Sequence, residues 1–269
     1  MPSTFDFTTT TSNQTAVDFL AEKTGLPKAR IKDAMNKGAC WWTLKGKQVR
    51  LRRATKDLAK GTRIQLYYDE QVLNRVPAAG QLMTDQTRYS IWYKPHGLLA
   101  QGSQWGDHCS LLRWVELEHK RDCFLIHRLD ADAAGLMMIA HDSQAAALLS
   151  QLFQSRDLKK YYQARVAGEL IANGLRIDQP LDGKESVSVV NTTMVSDDHS
   201  STLVEVLIET GRKHQIRRHL SGIGHPIIAD RVYGVASKTP LQLLAYKLEF
   251  RCPISKQIIR TELPEELHL

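Results

Sequence analysis

Cysteine is scarce, with four residues in a chain of 269, at positions 40, 109, 123 and 252, and no Cys-x-x-Cys pair. Isolated thiols exclude a disulfide framework and a zinc knuckle and suit a reducing compartment, so each is expected to be a buried structural side chain. No apolar run is long enough to span a bilayer. Met1-Pro2-Ser3-Thr4-Phe5-Asp6 has neither the basic start nor the apolar core of a secretory signal. A soluble, cytoplasmic chain with no membrane partner is expected. Internal repeats and low-complexity segments are also missing. A composition 42% hydrophobic and 24% charged excludes wholesale disorder. The length suffices for a full-sized catalytic domain and a smaller module.

Acidic residues are few in the first quarter. Residues 14–70 carry 13 Lys and Arg against 6 Asp and Glu, a balance of +7, whereas residues 71–269 carry 23 against 22. Charge segregated in this way is the footprint of a polyanion-binding module, although a solvated basic face with no partner has the same composition.

Residues 1–13 are rich in Thr and Ser, show no apolar period and are expected to fray. Thr15 and Asp18 have the spacing of a capping box, Val17, Leu20 and Ala21 give the helix behind it an apolar face, and Gly25 stops it. In a second helix, Pro27 suits the first turn, Gly38 the C-terminal cap, and Ile31, Ala34 and Met35 the buried stripe, leaving Lys28, Arg30, Lys32 and Lys37 as a basic face. Two strand-like runs, 48–53 and 63–68, complete a small α/β module over residues 1–75. Residues 74–87, with Pro77-Ala78-Ala79-Gly80, read as a linker. Beyond it, strands are expected at 89–94, 161–166, 202–209 and 241–250, and helices at 143–154 and 213–220. The two do not alternate regularly, so residues 76–269 are expected to form an α+β domain on a mixed, largely antiparallel sheet.

The chemistry-bearing run is His127-Arg128-Leu129-Asp130-Ala131-Asp132-Ala133-Ala134-Gly135, followed by the apolar Leu136–Ala140. Asp130 is expected on a loop at the mouth of that strand, where catalytic groups are often held; an aspartate there could also be a turn residue bonding its own backbone. Three further segments stand around it: Tyr93-Lys94-Pro95-His96-Gly97 upstream, Lys160-Tyr161-Tyr162 downstream, and then Gly211-Arg212-Lys213-His214-Gln215-Ile216-Arg217, with Gly224–Asp230 and Tyr233-Gly234 behind it. In this order and spacing the chain, over residues 89–250, resembles RluA-type RNA pseudouridine synthases. The N-terminal helices and strands similarly resemble the small RNA-binding module found beside many such domains, apart from Ala39-Cys40-Trp41-Trp42 in place of its small apolar residues and Asn-Gly turn.

The resemblance implies an enzyme that isomerises uridines of ribosomal or transfer RNA without a cofactor or metal, with RNA as its partner; the oligomeric state is open, with the monomer favoured. It makes Asp130 the catalytic carboxylate, Tyr162 the aromatic residue beside the target base, and Arg217 the cation that pairs with the aspartate. Arg128 becomes the side chain that fills the gap left by a flipped nucleotide, and Lys94, Arg212 and His214 join it as RNA- and base-binding residues. The chemistry fits these types. A uracil inside a helix must be extruded to be reached, and a planar guanidinium can stack where it was. A carboxylate can then act on the sugar as nucleophile or as base. The sequence departs from the family at Ala133-Ala134, where Thr-Ser is usual, at Lys213, where Thr is common, and at Leu244, where His is frequent.

Other readings are less well supported. Asp130 and Asp132, two apart in a loop, do not suggest a convergent glycosidase pair. His214 and His219 are five apart on one helix and do not share a face as zinc ligands would; His127 and His225 are expected to hydrogen-bond within packed loops. Trp41-Trp42 and Tyr67-Tyr68 could stack on bases but are expected as core or rim aromatics. Two rivals remain open: a non-enzymatic RNA-binding factor, and a glycosylase that releases free uracil.

Overall fold

The computed structural model describes residues 2–44, 46–155 and 157–269, so Met1, Lys45 and Arg156 lie outside the described residues. The chain divides into two compact units, residues 1–77 with 101–114, and residues 78–100 with 115–269. In chain order the first 77 residues form β1 (Ser3–Thr8), β2 (Gln14–Thr15), α1 (Ala16–Thr24), α2 (Lys28–Asn36), β3 (Cys40–Leu44), β4 (Lys47–Arg50), β5 (Asp57–Leu58), β6 (Arg63–Tyr68) and α3 (Glu70–Leu73).

The segment expected to fray is a strand. β1 pairs antiparallel with β6 along its whole length, in a sheet ordered β1-β6-β3-β4. The signal lay in a period of two: Phe5 and Phe7 point to one side, where Phe7 meets Phe19 edge-on with ring centroids 6.1 Å apart, while Thr4, Asp6 and Thr8 are exposed. α1 starts and stops where its residues direct. Thr15 Oγ1 accepts from the Asp18 amide and donates to its carboxylate at 2.6 Å, and Gly25, at φ 70°, closes the last turn onto Ala21 O. α2 buries Ile31, Ala34 and Met35. Its basic face is partly paired off, with Lys28 on Asp18, Arg30 on Glu70 and Lys37 on Asp33. β4 ends at Arg50 instead of running to 53. Residues 101–114, expected within the catalytic domain, pack with this unit. Arg50 and Arg52 both engage Asp107, Trp41 Nε1 donates to Gln104 O at 3.0 Å, and Trp105 lies edge-on to Tyr67. Gly38, at φ 79°, makes this approach possible, since a Cβ there would sit 2.5 Å from Asp107 Oδ1.

The chain continues as β7 (Gln81–Asp85), β8 (Tyr89–Lys94), α4 (Leu111–His119), β9 (Phe124–Leu125), β10 (Ala134–Ala140), α5 (Ser143–Gln154), β11 (Lys159–Ala167), β12 (Leu175–Ile177), β13 (Ser188–Val195), β14 (Ser201–Ile208), α6 (Gln215–Gly222), β15 (Leu243–Arg251) and β16 (Ile258–Glu262). The main path of the second unit's sheet runs β12-β13-β14-β11-β15-β10-β8-β7, with β16 on β15 and β9 on β10. Every pairing is antiparallel except β10 with β15, so the sheet is mixed and largely antiparallel, an α+β fold as its residues imply. β7 falls inside the stretch expected to be a linker; Pro77–Gly80 precedes it and is irregular. All seven residues of β10 are buried, as a strand enclosed between neighbours requires.

Two apolar clusters divide along the sheet. Leu136, Met138, Leu244 and Tyr246 pack with α5 through Ala145, Leu149 and Leu152. Ala164, Val204, Val206 and Leu243 pack with α6 through Ile216 and Leu220. Leu243 and Leu244 thus face opposite ways, which puts the unusual Leu244 in the core. Of the cysteines, all free, Cys40 and Cys252 are buried, but Cys109 and Cys123 are only half-buried. Among the described residues no helix is long and apolar enough to cross a membrane.

Phe7→Ala is expected to destabilise the N-terminal unit by about 2 kcal/mol, less than a fully buried Phe would, because the ring is partly exposed. Urea unfolding read by tryptophan fluorescence measures this, and an unchanged midpoint would mean that β1 adds nothing to the unit.

Candidate active site

Asp130 stands four residues before β10, on a loop held from beneath. Lys94, the last residue of β8, is wholly buried, and its Nζ donates to Ala133 O at 2.6 Å, Leu98 O at 2.9 Å and Pro95 O at 3.1 Å. One ammonium therefore ties the 95–98 turn to the loop that carries Asp130. Lys94 was expected among the RNA-contacting residues; in the structure its ammonium is buried among carbonyl oxygens. Burial pulls its basicity down to about 8, against the raising effect of the Asp130 and Asp132 charges. Gly135, at φ 130°, follows the loop; a Cβ there would lie 2.3 Å from Ala245 O, so only glycine lets β10 meet β15.

Across the cleft α6 begins at His214, whose backbone is left-handed at φ 54°. Gln215 locks the preceding turn by accepting from the Arg212 amide at 3.0 Å and from Thr210 Oγ1 at 2.8 Å. Arg217, one helical step further, has a side chain only 3% exposed and directs Nη1 to Asp130 Oδ2 at 3.2 Å. The other side of its guanidinium makes a two-bonded fork with Asp230, Nε to Oδ2 and Nη2 to Oδ1, both at 2.7 Å. Asp230 is fully buried and also accepts from the amides of Val232 and Tyr233. Burial alone would raise its carboxyl, but the Arg217 fork and the two amides bring it below the ordinary range. The same fork raises Arg217.

His214 Nε2 lies 3.7 Å from Asp130 Oδ1, and Nδ1 lies 3.0 Å from Tyr233 Oη. Burial lowers this imidazole more than the Asp130 carboxylate raises it. Tyr162 is on β11 at a bulge, where the register with β15 slips between Tyr161 and Tyr162 and re-aims the side chain. Its half-buried ring packs on the Leu243 cluster, and burial, then the Asp130 charge, pushes the phenol up. Asp130, Tyr162, Arg217, Arg128, Arg212 and His214 line one shallow cleft with a cavity volume of about 70 Å³. Arg128 is exposed and has no partner among the described residues. Arg212 is exposed with Nε on Glu185 O at 2.9 Å.

Residues 88–222 match a family model described as RNA pseudouridylate synthase. The chain belongs to that family. It is 33% identical over 199 residues to a ribosomal large subunit pseudouridine synthase D of Nitrosomonas europaea, covering 64% of this chain and 58% of that protein. It is also 33% identical over 185 residues to a dual-specificity RNA pseudouridine synthase RluA of Vibrio parahaemolyticus, covering 60% of this chain and 74% of that protein. An uncharacterized RNA pseudouridine synthase of Aquifex aeolicus is 35% identical over 45% of this chain and 43% of its own length. The matches thus span from under half to three quarters of these relatives. Two human structures share the fold: RNA pseudouridylate synthase domain containing 1, with TM-score 0.60 at 18% identity over 71% of this chain and 86% of that one, and domain containing 4, with TM-score 0.55 at 24% identity over 69% and 89%.

Within the family frame, the unusual Ala133 lines the cleft, Ala134 is buried opposite Leu244, and Lys213 is exposed. His127 accepts from the Met138 amide at 2.9 Å, His225 Nδ1 lies 3.0 Å from Ala167 O, and His219 is buried among Ser188, Ser186 and Gln179 O. Among the described residues no group of three His, Cys, Asp or Glu side chains converges as a metal site. Asp230 and Tyr233 were given no role from sequence, although both stood in quoted motifs; the usable signal was that a buried arginine needs a second carboxylate.

The Lys94 burial has a measurable consequence. Below pH 8 its ammonium is charged in both folded and unfolded chains. Between about 8 and its ordinary 10.5 the unfolded chain holds the proton that the folded chain has released, so folding is favoured as pH rises. Wild type should therefore gain up to about 3 kcal/mol relative to Lys94→Met across this window. Denaturation midpoints at pH 7.5 and 10.5 test this, and a constant difference would refute it.

Proposed function

We propose that this chain isomerises uridine to pseudouridine in structured ribosomal or transfer RNA, in the cytoplasm, as a monomer and without a cofactor. The observation that carries the reading is the Asp130 carboxylate set between the Arg217 guanidinium and the His214 ring, in one cleft with Tyr162. The target uridine flips out of its helix into this cleft, at roughly a few kcal/mol of lost stacking and pairing, and exposed Arg128 enters the vacated stack. Asp130 then acts on the sugar, either by attack at C1′ or by removing a sugar proton; on both routes Arg217 Nη1, 3.2 Å from Oδ2, orients the carboxylate. The C1′–N1 bond breaks, the uracil turns against Tyr162 and a C1′–C5 bond forms as the carboxylate leaves C1′ on the first route, or as the sugar proton is returned on the second. C5 loses its proton and N1 gains one, so the product is an isomer. Enclosure of the detached base favours recombination over escape. Arg212, exposed at the rim, serves the RNA backbone, and His214 belongs to the floor.

The N-terminal unit is the RNA-binding module in this reading. Its +7 balance over residues 14–70 supports phosphate contact, and Lys32, Lys47, Arg53 and Lys56 are exposed.

Asp130→Asn should abolish tritium release from RNA carrying [5-³H]uridine and leave RNA affinity within about threefold, because volume is conserved while nucleophile and base are lost. Near-normal single-turnover rates would remove Asp130 from the mechanism, and free uracil as product would make the chain a glycosylase. Replacing Lys32, Lys47, Arg53 and Lys56 by Gln should weaken RNA binding and flatten the plot of log affinity against log salt by up to about 0.9 per contacting charge. An unchanged slope would take these residues off the RNA surface.

A further inference from the structure

Asp130 is approached by two side chains, and each of these is held in turn by a residue to which the reaction assigns nothing. Five residues close into a ring: Asp130 Oδ2 to Arg217 Nη1, Arg217 to Asp230, Asp230 Oδ1 to the Tyr233 amide, Tyr233 Oη to His214 Nδ1, and His214 Nε2 back towards Asp130 Oδ1. We propose that Asp230 and Tyr233 are positioning residues, acting through Arg217 and His214 to hold both oxygens of the Asp130 carboxylate. This rests on the reading that Asp130 is the reactive group.

An arginine side chain has several free torsions, so an unsupported Arg217 would sample many orientations. The fork with Asp230 fixes the guanidinium plane through two parallel bonds at 2.7 Å and leaves the Nη1 edge directed at Asp130. Asp230 is satisfied throughout, with four donors on two oxygens, as a buried carboxylate must be. It also changes the charge. One guanidinium between two carboxylates leaves the group at −1, so Arg217 orients Asp130 without fully neutralising it, and the remaining negative charge is available to the sugar.

Tyr233 sets the other arm. Burial keeps the His214 ring neutral, with one proton on two nitrogens. The Asp130 carboxylate 3.7 Å from Nε2 favours the proton there, so Nδ1 is the acceptor and Tyr233 O–H donates to it. The hydroxyl therefore fixes the tautomer that presents N–H to Asp130, while the Tyr233 ring lies 5.3 Å from the Arg217 guanidinium carbon and closes the ring from below. His214 and Ala229, the residue before Asp230, both adopt left-handed backbone at φ 54° and 64°, a cost kept where it aims these side chains.

Tyr233→Phe removes only the hydroxyl. Its single-turnover tritium release at saturating RNA should fall about 2- to 10-fold with RNA affinity unchanged, the rate equivalent of one neutral hydrogen bond. The double variant with His214→Gln should be no slower than His214→Gln alone, because both act on one arm. Asp230→Asn should lose on the order of 100-fold or more; if it does not fold, the Tyr233 variants decide. A wild-type saturated rate in Tyr233→Phe, or losses that multiply in the double variant, would overturn the proposal. Nitrogen-15 spectra of His214 provide a reading that needs no activity: the proton should be on Nε2 in wild type and redistribute in Tyr233→Phe. A wild-type chain that releases no tritium would end the functional reading, whereas a proton on Nδ1 of wild-type His214 would end this one.

Discussion

The buried pair of Arg217 and Asp230 is the constraint on which the cleft depends. Arg217 extends from α6, and Asp230 from the turn after Ile227, so their fork joins two segments that are also tied by Ser221 Oγ donating to Tyr233 O at 2.8 Å and by apolar contacts. Taking both charges from water is costly, and the low-dielectric interior repays it only if every donor and acceptor is used. Here the Asp230 oxygens are filled from the fork and from the turn's own amides. The turn cannot move without orphaning a carboxylate, and α6 cannot move without orphaning a guanidinium. Preorganisation of this kind lets a loop-borne carboxylate such as Asp130 behave as though it were on a rigid element.

The opposite wall obeys a different rule. There the loop that carries Asp130 is fixed by one buried ammonium among main-chain oxygens, and by a glycine where two strands touch. The hydroxyls that Ala133 and Ala134 lack are not needed to anchor the loop, because Lys94 already binds the Ala133 carbonyl. Leu244 is equally neutral to the cleft: its neighbour Leu243 faces the site, while Leu244 itself faces the α5 side.

Legibility in the sequence followed locality. α1, the stripe of α2 and α5 are written in caps and periods within a dozen residues, and they appear where those signals stand. The site was legible because four short motifs each hold their residues close together, which brought Asp130, Tyr162 and Arg217 to notice although they meet only in space. β1 was missed because its polar face outweighed two phenylalanines, and β7 because an edge strand beside Pro77–Gly80 looks like its linker. The surroundings of Lys94 were hidden for a related reason: a motif marks the lysine, and only packing shows that its ammonium is directed inward. The Asp230 fork and the Tyr233 hydroxyl were invisible as interactions, since 13 residues separate Asp230 from Arg217 and 19 separate Tyr233 from His214.

The return of residues 101–114 to the N-terminal unit has a consequence for synthesis. A ribosome making this chain has completed β7 and β8 before it emits Asp107, the carboxylate that Arg50 and Arg52 share. Until then two arginines and the left-handed turn at Gly38 await their counter-ion, while strands that belong elsewhere are already outside the exit tunnel. The first unit to emerge is therefore completed only after the first two strands of the second are already out, and its closure overlaps in time with the emergence of the second.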